Sequence, residues 1–319
     1  MNAMKMPELC LFVSRVGYIE RVDVLLDLVS EKDIAAASND IGRENVANQS
    51  SLRRLAELYG TINRKSFKRV YFGQETCERL IPSSSDISLA VQSSMANGWD
   101  LTIVLPYVAP FGAEKIKALC PAIIEAGEKM GSVEVAVQDV AGLSIISGMR
   151  NGKVIPVLGR LFSRMKRDPR FPVDSMPHGP EFVPQDSVLS TIRRTSFENY
   201  TYVKKLFSLG VHRFGMDALP QGVDTRKVAG GMFSDIYWPW IYVTSGRACH
   251  VAGITSPESA RHPVDEFCQM ECRRMQIEVR KPQAFYSVAK GNAVWMECPG
   301  IGDISGNIDR LIYEPYIPV

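Results

Sequence analysis

The feature that most constrains the fold is a regular alternation of short apolar runs with amphipathic segments, which begins at Lys68. The apolar runs are predicted as strands, and the segments between them, several of which end at a glycine, are predicted as helices. The predicted strands cover residues 69–73, 101–108, 133–139, 153–159, 211–217 and 238–245, and the predicted helices cover 87–97, 113–130, 141–148, 187–209 and 223–232. Strands that alternate with helices in this way form a parallel sheet with the helices outside.

An earlier apolar run, residues 8–13, brings the count to seven strands and is followed by two predicted helices, 18–29 and 52–59. We therefore predict an α/β protein built on a TIM-like (β/α) barrel of about seven to eight parallel strands, rather than an open doubly wound sheet. No G-x-G-x-x-G motif follows the first run, which disfavours a dinucleotide-binding fold. After Cys272 the pattern changes to short antiparallel strands. The predicted domains are a barrel over residues 1–275 and a small β-rich C-terminal extension over residues 276–319.

A long loop interrupts the alternation between the predicted strand 153–159 and the helix that begins near Ser187. Five prolines punctuate it, namely Pro169, Pro172, Pro177, Pro180 and Pro184. A loop of this length inside a compact domain is usually functional or disordered, and this one leaves the strand end at which barrels keep their active sites. We predict that residues 160–186 form a lid, with an inert insertion as the alternative.

Composition argues against several classes of protein. The 319 residues carry a formal net charge of +2, so no overall field attracts nucleic acid or an anionic membrane. Basic runs at 64–69 and 164–170 lack the interleaved aromatic residues that stack on bases, and no apolar run reaches the ~18 residues of a membrane helix. Seven cysteines, an odd number, and an N-terminal sequence unlike a signal peptide favour a reducing compartment. We predict a cytoplasmic protein.

Four cysteines in two distant parts of the chain give the strongest functional signal. Cys249, Cys268 and Cys272 lie within residues 242–274, and Cys77 follows the predicted strand 69–73. A helical turn would bring the sulfurs of Cys268 and Cys272 to one side. Cys77 and Cys249 each lie just past a predicted strand end, and such ends share one rim of a barrel. We predict that the four thiolates bind one metal centre, with a 4Fe-4S cluster favoured.

The spacing leaves two alternatives open. Structural zinc also takes four cysteines but commonly uses two short pairs, of which this sequence has one. The cysteines could also be ordinary packing residues. A radical-SAM motif, C-x3-C-x2-C, is excluded because position 275 is Met275. Cys10 and Cys120 lie in apolar runs and are predicted core residues, whereas Cys298 could replace Cys77 as the fourth ligand.

Polar residues at the predicted C-terminal strand ends would surround the same rim. They are Glu75, Tyr107, Gln138, Asp139, Arg160 and Asp217. Carboxylates there could act as acid or base, and the planar guanidinium of Arg160 suits a carboxylate-bearing ligand. Each could instead cap a helix or pair with a neighbour. The predicted catalytic residues are Glu75, Tyr107, Asp139, Arg160 and Asp217.

The two cysteine-bearing motifs resemble those of a known family. The run Y-x-G-x-x-x-C ends at Cys77, and the run SGRAC ends at Cys249 and precedes the C-x3-C pair formed by Cys268 and Cys272. In these motifs the chain resembles the collagenase-like peptidase family U-32, and within it the UbiV-like branch of oxygen-independent ubiquinone biosynthesis. The resemblance implies that these four cysteines bind a 4Fe-4S cluster.

The resemblance also implies a function. Two proteins of this family pair, and a prephenate-like donor supplies the hydroxyl group in place of dioxygen, so Arg160 is expected to hold the donor's carboxylate. The first prediction is therefore an iron–sulfur protein of the oxygen-independent hydroxylase kind, acting on an aromatic or quinone-precursor substrate as one subunit of a heterodimer. A U-32-type peptidase is the second, although no G-x-S-x-G or H-E-x-x-H motif supports it. The third is a non-catalytic electron-transfer or partner-binding subunit.

Overall fold

Within the residues that the structure describes, eight parallel strands close into a barrel and six further strands form two smaller sheets. The computed structural model describes residues 6–27, 48–149, 152–167, 186–255, 268–279, 287–298, 300–301 and 303–319. The strands are β1 (Glu8–Val13), β2 (Arg69–Gly73), β3 (Asp100–Val104), β4 (Val133–Val137), β5 (Val154–Leu158), β6 (Arg213–Asp217), β7 (Val223–Asp224), β8 (Phe233–Trp238), β9 (Trp240–Ser245), β10 (Ile277–Val279), β11 (Ser287–Lys290), β12 (Ala293–Glu297), β13 (Ile304–Ser305) and β14 (Arg310–Tyr313). The order around the barrel is β1-β14-β8-β6-β5-β4-β3-β2. The predicted TIM-like α/β barrel is confirmed.

The helices of the described chain lie between the barrel strands and after β9. They are α1 (Gly17–Glu20), α2 (Val22–Asp27), α3 (Asn48–Tyr59), α4 (Ser84–Asn97), α5 (Pro110–Met130), α6 (Val140–Gly148), α7 (Asp186–Ile192), α8 (Tyr200–Ser208) and α9 (His250–Thr255). The predicted helix 187–209 is two helices, because Thr195 and Asn199 each accept a backbone hydrogen bond and start a new turn. The predicted helix 18–29 is broken at Arg21, and its residues 28 and 29 lie outside the described residues. None of these helices combines the length and the apolarity that crossing a membrane requires.

The seventh barrel strand lies earlier in the chain than the sequence predicted. β8 takes this place between β6 and β14, and the predicted helix 223–232 is instead β7 followed by turns. Polar residues obscured the strand character of β8, since Asp235 faces the arginines inside the barrel. The predicted barrel strand 238–245 leaves the barrel after the cis Trp238–Pro239 bond, and β9 pairs antiparallel with β12.

The predicted boundary at residue 275 is also wrong, because β14 is the eighth barrel strand and pairs with both β1 and β8. The antiparallel sheet, in the order β10-β11-β12-β9, is inserted between β8 and β14. This insertion ends the alternation on which the boundary was based. Of the predicted lid, residues 160–167 begin with a 3-10 turn at Arg160–Phe162, and residues 168–185 lie outside the described residues.

Side chains inside the barrel form three layers. The middle layer is mainly apolar and aromatic and comprises Cys10, Phe12, Tyr71, Val104, Ala136, Val157, Tyr237 and Ile312. In the N-terminal layer Arg310 donates to both carboxylate oxygens of Glu134, at 2.7 and 3.1 Å. Burial alone would raise the pKa of Glu134, but Arg69 and Arg310 lower it to about 2. The C-terminal layer is a second ion cluster, which belongs to the site described below.

Alternate strand residues face outward and form the main core with the helices. On β1 these are Leu9, Leu11 and Val13, which join buried residues of the helices such as Ile19 and Ile87. The side-chain period of two thus separates a large apolar outer core from a partly charged interior. Burial of each large aliphatic side chain contributes roughly 1.5–3 kcal/mol.

Gly73, the last residue of β2, generates the first prediction. Its φ of 137° and its approach to β3 leave no room for a side chain, since an added Cβ would lie 2.1 Å from the Val104 carbonyl oxygen. We expect Gly73→Ala to lower the free energy of unfolding by about 3 kcal/mol or more. Gly98→Ala is the matched control, because Gly98 also has a positive φ, 66°, but open space around it. We expect it to cost about 1 kcal/mol. Urea unfolding of both variants measures the difference, and equal losses would contradict the steric argument.

Candidate metal centre at the barrel rim

Three short segments, two of which follow strands, carry the four candidate cysteines. Cys77 follows β2 and precedes the 3-10 turn Glu78–Leu80, and Cys249 follows β9 and directly precedes α9. Cys268 and Cys272 lie before and within the 3-10 turn Glu271–Arg273. Cys272 is buried, and the other three are half-buried.

Backbone amides of these turns point at the sulfurs. The Ala252 amide donates to Cys249 Sγ and the Met270 amide donates to Cys268 Sγ, each at 3.4 Å. A backbone amide also lowers the pKa of Cys77, against the larger opposing effect of burial. Such donors stabilise a thiolate and orient it as a ligand.

The four thiols lie close enough to affect one another's ionisation. Burial is the main cause that raises the pKa of Cys272 to about 12, and charges on Cys77, Cys249 and Cys268 raise it further, whereas Lys290 lowers it. Burial likewise raises the pKa of Cys77 to about 11, with Cys249 and Cys268 adding to the shift. Cys77 and Cys272 therefore keep their protons at neutral pH in the absence of a cation. A metal centre would displace those protons.

Buried polar atoms without a partner lie in the same region. Among the residues that the structure describes, the indole nitrogens of Trp240 and Trp295 are buried without a hydrogen-bond partner, and both rings belong to one apolar cluster with Cys272. Thr76 Oγ1, next to Cys77 in the chain, is also unpaired. Each unsatisfied buried donor costs about 1–3 kcal/mol. A sulfide-rich anion could accept hydrogen bonds from these groups, so the soft donor set and its surroundings fit an iron–sulfur cluster.

A single metal ion fits less well. In the part of the chain that the structure describes, no group of three or more histidine, cysteine or acidic side chains is arranged so that it could hold a metal ion. A structural zinc needs four sulfurs about 2.3 Å from one point. In a 4Fe-4S cluster each cysteine binds a different iron, so its ligands stand farther apart than those of one ion.

A second cluster of ionisable side chains fills the C-terminal layer of the barrel. Arg160 is fully buried and donates from Nε to Glu75 Oε1 at 3.1 Å and from Nη1 to Asp217 Oδ1 at 2.9 Å. It also pairs with both carboxylate oxygens of Glu314 and donates to the Trp240 carbonyl oxygen at 2.6 Å. The Arg160 guanidinium thus joins the ends of β2, β5, β6 and β14 to the start of β9.

This ion cluster has one negative charge in excess when every group is ionised. Arg167 supplies the second cation, since it pairs with Asp217 and donates to the Arg160 carbonyl oxygen at 2.7 Å. Burial raises the pKa of Glu75 and raises that of Glu314 well above its ordinary value, although Arg160 opposes both shifts. The cluster therefore favours holding a proton on this carboxylate pair.

Of the residues predicted as catalytic, Glu75, Arg160 and Asp217 meet in this ion cluster. The predicted role of Arg160 as the binder of a substrate carboxylate does not fit the geometry. Its side chain is 0% exposed, and its donors contact the chain's own carboxylates and a backbone carbonyl. An arriving carboxylate would have to displace Glu75 or Glu314.

The other two predicted residues, Tyr107 and Asp139, have structural contacts. Asp139 is the N-cap of α6, where Oδ1 accepts from the Gly142 amide at 2.7 Å and Oδ2 accepts from the Val108 amide at 2.7 Å. Tyr107 Oη donates to the Gly246 carbonyl oxygen at 2.9 Å. Asp139 is therefore committed to capping, which was the alternative interpretation of such residues. Gln138 remains at the ion cluster, where Nε2 donates to Glu75 Oε1 at 3.3 Å.

The remaining cysteines have different surroundings. Cys10 belongs to the interior layer of the barrel, and Cys120 is half-buried on α5. Cys298 lies in the main core, and its Sγ donates to the Gly300 carbonyl oxygen at 2.9 Å. Burial raises the pKa of Cys298 to about 12, with Asp217 and Glu297 adding to the shift. These contacts set Cys298 apart from the four thiols that act on one another.

Comparisons with known proteins found a similar solved structure but no related sequence. No family model matches the chain, and no curated protein matches it. Among solved structures it is similar to the U32 peptidase Mk0906, at 7% sequence identity and a TM-score of 0.41, over 98% of this chain and 94% of the other. At this identity the likeness assigns no role to any residue.

Sequence reasoning missed several residues of the site. Glu314 follows β14, which was not recognised as a barrel strand, and Trp240 and Trp295 come from the inserted sheet. Lys290, at the end of β11, is 1% exposed and affects the pKa of Cys272. A lysine within the apolar pattern SVAK is a signal that could have pointed to it.

Glu297, at the end of β12, generates the second prediction. It is half-buried, and burial raises its pKa to about 7. Because the folded-state pKa exceeds the unfolded value of about 4.5, the ionised form destabilises the fold, and stability falls as the pH rises through 7. We expect Glu297→Gln to increase the free energy of unfolding by about 1–3 kcal/mol at pH 8 and by little at pH 5.

Urea unfolding at the two pH values measures this effect. Glu57→Gln is the control, because the Glu57 side chain is 63% exposed and pairs with Arg54 at the surface. An equal gain for Glu297→Gln at pH 5 and pH 8 would show that ionisation is not its cause.

Proposed function

We propose that this chain is an iron–sulfur protein in which Cys77, Cys249, Cys268 and Cys272 each bind one iron of a 4Fe-4S cluster. The observation that carries the proposal is the mutual electrostatic influence of the four thiols, which come from three separate segments. Burial and the neighbouring thiols raise the pKa of Cys77, Cys249 and Cys272, so these groups are costly as thiolates unless a cation compensates them. Iron would supply that compensation.

The chain's own residues would hold and tune such a cluster. Backbone amides at Ala252 and Met270 would retain their hydrogen bonds to the ligating sulfurs, and the indoles of Trp240 and Trp295, in the same apolar cluster as Cys272, carry N–H groups without a partner among the described residues. The buried Lys290 would offset part of the negative charge. When bound, the cluster would supply a one-electron redox centre or a Lewis-acidic iron.

For the reaction, we propose the oxygen-independent hydroxylase kind, with this chain as one subunit beside a second U-32-type protein. The two cysteine motifs support this choice through their resemblance to the UbiV-like branch. Because Arg160 is enclosed, the prephenate-like donor would need another cation. Arg247, Arg273 and Arg274 are exposed and lie within two residues of Cys249 or Cys272 in the chain. They would give the rim a positive charge that suits an anionic donor.

The third prediction tests the cluster. Anaerobic purification should give about four irons and four sulfides per chain, with an absorption band near 400 nm that reduction bleaches. Cys272→Ala and Cys268→Ala should each lose most of this iron. Cys120→Ala is the control, since Cys120 lies on α5 and should leave the iron content unchanged. Circular dichroism checks that the variants fold. A folded wild-type chain without iron and sulfide would refute the proposal.

The fourth prediction concerns the reaction. The cluster-loaded chain, mixed with a second U-32-type protein and a prephenate-like donor under anaerobic conditions, should hydroxylate an aromatic quinone precursor. Arg247→Gln should raise the KM for the donor several-fold and change kcat less, because its charge would act in binding. Arg53→Gln, exposed on α3, is the control. If the cluster-loaded protein gives no turnover with any partner protein but exchanges electrons with one, the result would favour the interpretation of this chain as a non-catalytic subunit.

A further inference from the structure

The tight turn between β11 and β12, at Gly291 and Asn292, contacts the segments that carry three of the four candidate ligands. The Gly246 amide donates to the Asn292 carbonyl oxygen at 2.9 Å, and the His250 amide donates to the Gly291 carbonyl oxygen at 2.8 Å. Gly246 and His250, which donate these two bonds, lie on either side of Cys249 in the chain. A Cβ added at Gly291 would lie 3.9 Å from Cys272 Cβ, so the turn also packs against Cys272.

The side chain of Asn292 extends the same contacts to Cys77. Its Nδ2 donates to the Thr76 carbonyl oxygen at 2.6 Å, to the Gly246 carbonyl oxygen at 2.8 Å and to Tyr107 Oη at 2.9 Å. Thr76 directly precedes Cys77 in the chain. One buried amide therefore joins the backbone before Cys77 to the backbone before Cys249.

The orientation of this amide follows from its partners. Two of them are carbonyl oxygens, which accept only, so the nitrogen must face them. The oxygen Oδ1 is then buried and has no partner within the described part of the chain, at a cost of about 1–3 kcal/mol. Closing a two-residue hairpin turn does not by itself require the amide to take this orientation. The unpaired oxygen is instead a consequence of placing Nδ2 between the two loops that carry candidate ligands.

We propose that Asn292 is the positioning residue of the metal centre and fixes the separation of the Cys77 and Cys249 loops. This inference rests on the proposed iron–sulfur function. The hydrogen bonds of its side-chain nitrogen go to Thr76, Gly246 and Tyr107, so Asn292 would act through the backbone at Thr76 and Gly246. Its amide holds the two loops at one spacing before a cluster is present, so that assembly does not have to order them.

Asn292→Asp is the sharpest variant, because it keeps the shape of the side chain and replaces the donor by a carboxylate oxygen that faces two carbonyl oxygens. We expect the loops to separate and the reconstituted cluster to be lost to an iron chelator at least tenfold faster than in the wild type. Asn292→Ala, which removes the bonds without repulsion, should give a smaller acceleration. Tyr107→Phe should have the smallest effect, because Asn292 keeps both of its backbone partners.

Asn97→Asp is the matched control. Asn97 lies at the end of α4, where its Nδ2 donates to the Ser93 carbonyl oxygen at 2.7 Å. The same chemical change there should leave the rate of cluster loss unchanged. Urea unfolding of the metal-free variants separates positioning from general destabilisation: if Asn292→Asp lowers stability no more than Asn97→Asp yet loses its cluster faster, the effect is local.

A second measurement does not depend on iron. In metal-free protein at pH 9, a short bifunctional maleimide should cross-link Cys77 to Cys249, and peptide mass spectrometry should show at least a fivefold lower yield of this product in Asn292→Asp. Suppose that the wild type binds iron, but Asn292→Asp loses its cluster to the chelator at the wild-type rate and gives the wild-type cross-linking yield. This result would overturn the inference about Asn292 and leave the proposed function intact. Wild type without iron would refute the proposed function, and the cross-linking yield would then decide whether Asn292 sets the loop spacing.

Discussion

The buried guanidinium of Arg160 is the interaction on which the arrangement of the rim depends. It joins Glu75, Asp217 and Glu314, which follow or end three barrel strands, and it holds the first residue of β9 through the Trp240 carbonyl oxygen. Removing one partner of a buried ion pair typically costs 3–5 kcal/mol, because an uncompensated charge remains. The inserted sheet thus starts from a point fixed by charge pairing inside the barrel, and the sheet in turn supports Cys249 and Cys272.

Each end of the barrel interior holds a cluster of buried charges, and the balance of arginines and carboxylates differs between the two ends. At the N-terminal end three arginines surround Glu134 and keep its pKa at about 2, so this carboxylate stays ionised. At the C-terminal end three carboxylates share two arginines, and burial raises the pKa of Glu75 and Glu314. The N-terminal end also contains Asp235, whose pKa burial raises to about 6 against the opposing charges of Arg213 and Arg310, so a carboxylate that can hold a proton lies at each end of the barrel.

The sequence predicted the fold wherever strand and helix alternate without interruption. The strands β1 to β6 are apolar runs of ordinary length, and their period was sufficient to place them. β8 was missed because Ser234 and Asp235 break its apolar pattern, and β14 was missed because the inserted sheet separates it from β8. Glu314 was missed for the same reason. The contacts of Asn292 depend on how a tight turn packs against loops distant in sequence, which no local pattern encodes.

The prediction for the cysteines depends on an element that the structure places differently. The sequence predicts the strand before Cys249 as a barrel strand, which would bring Cys249 to the rim, but β9 belongs to the antiparallel sheet. The thiols share one electrostatic neighbourhood because that sheet folds back over the strand ends.

Trp295 shows how near the two sites are, since its ring centroid lies 5.2 Å from the Arg160 guanidinium carbon and its indole packs with Cys272. Because Trp295 is buried and lies near both groups, a change of charge at the cysteines would act on the carboxylates around Arg160 through a partly apolar environment. If the proposed cluster binds at the rim, its binding is therefore expected to be coupled to proton binding in the barrel.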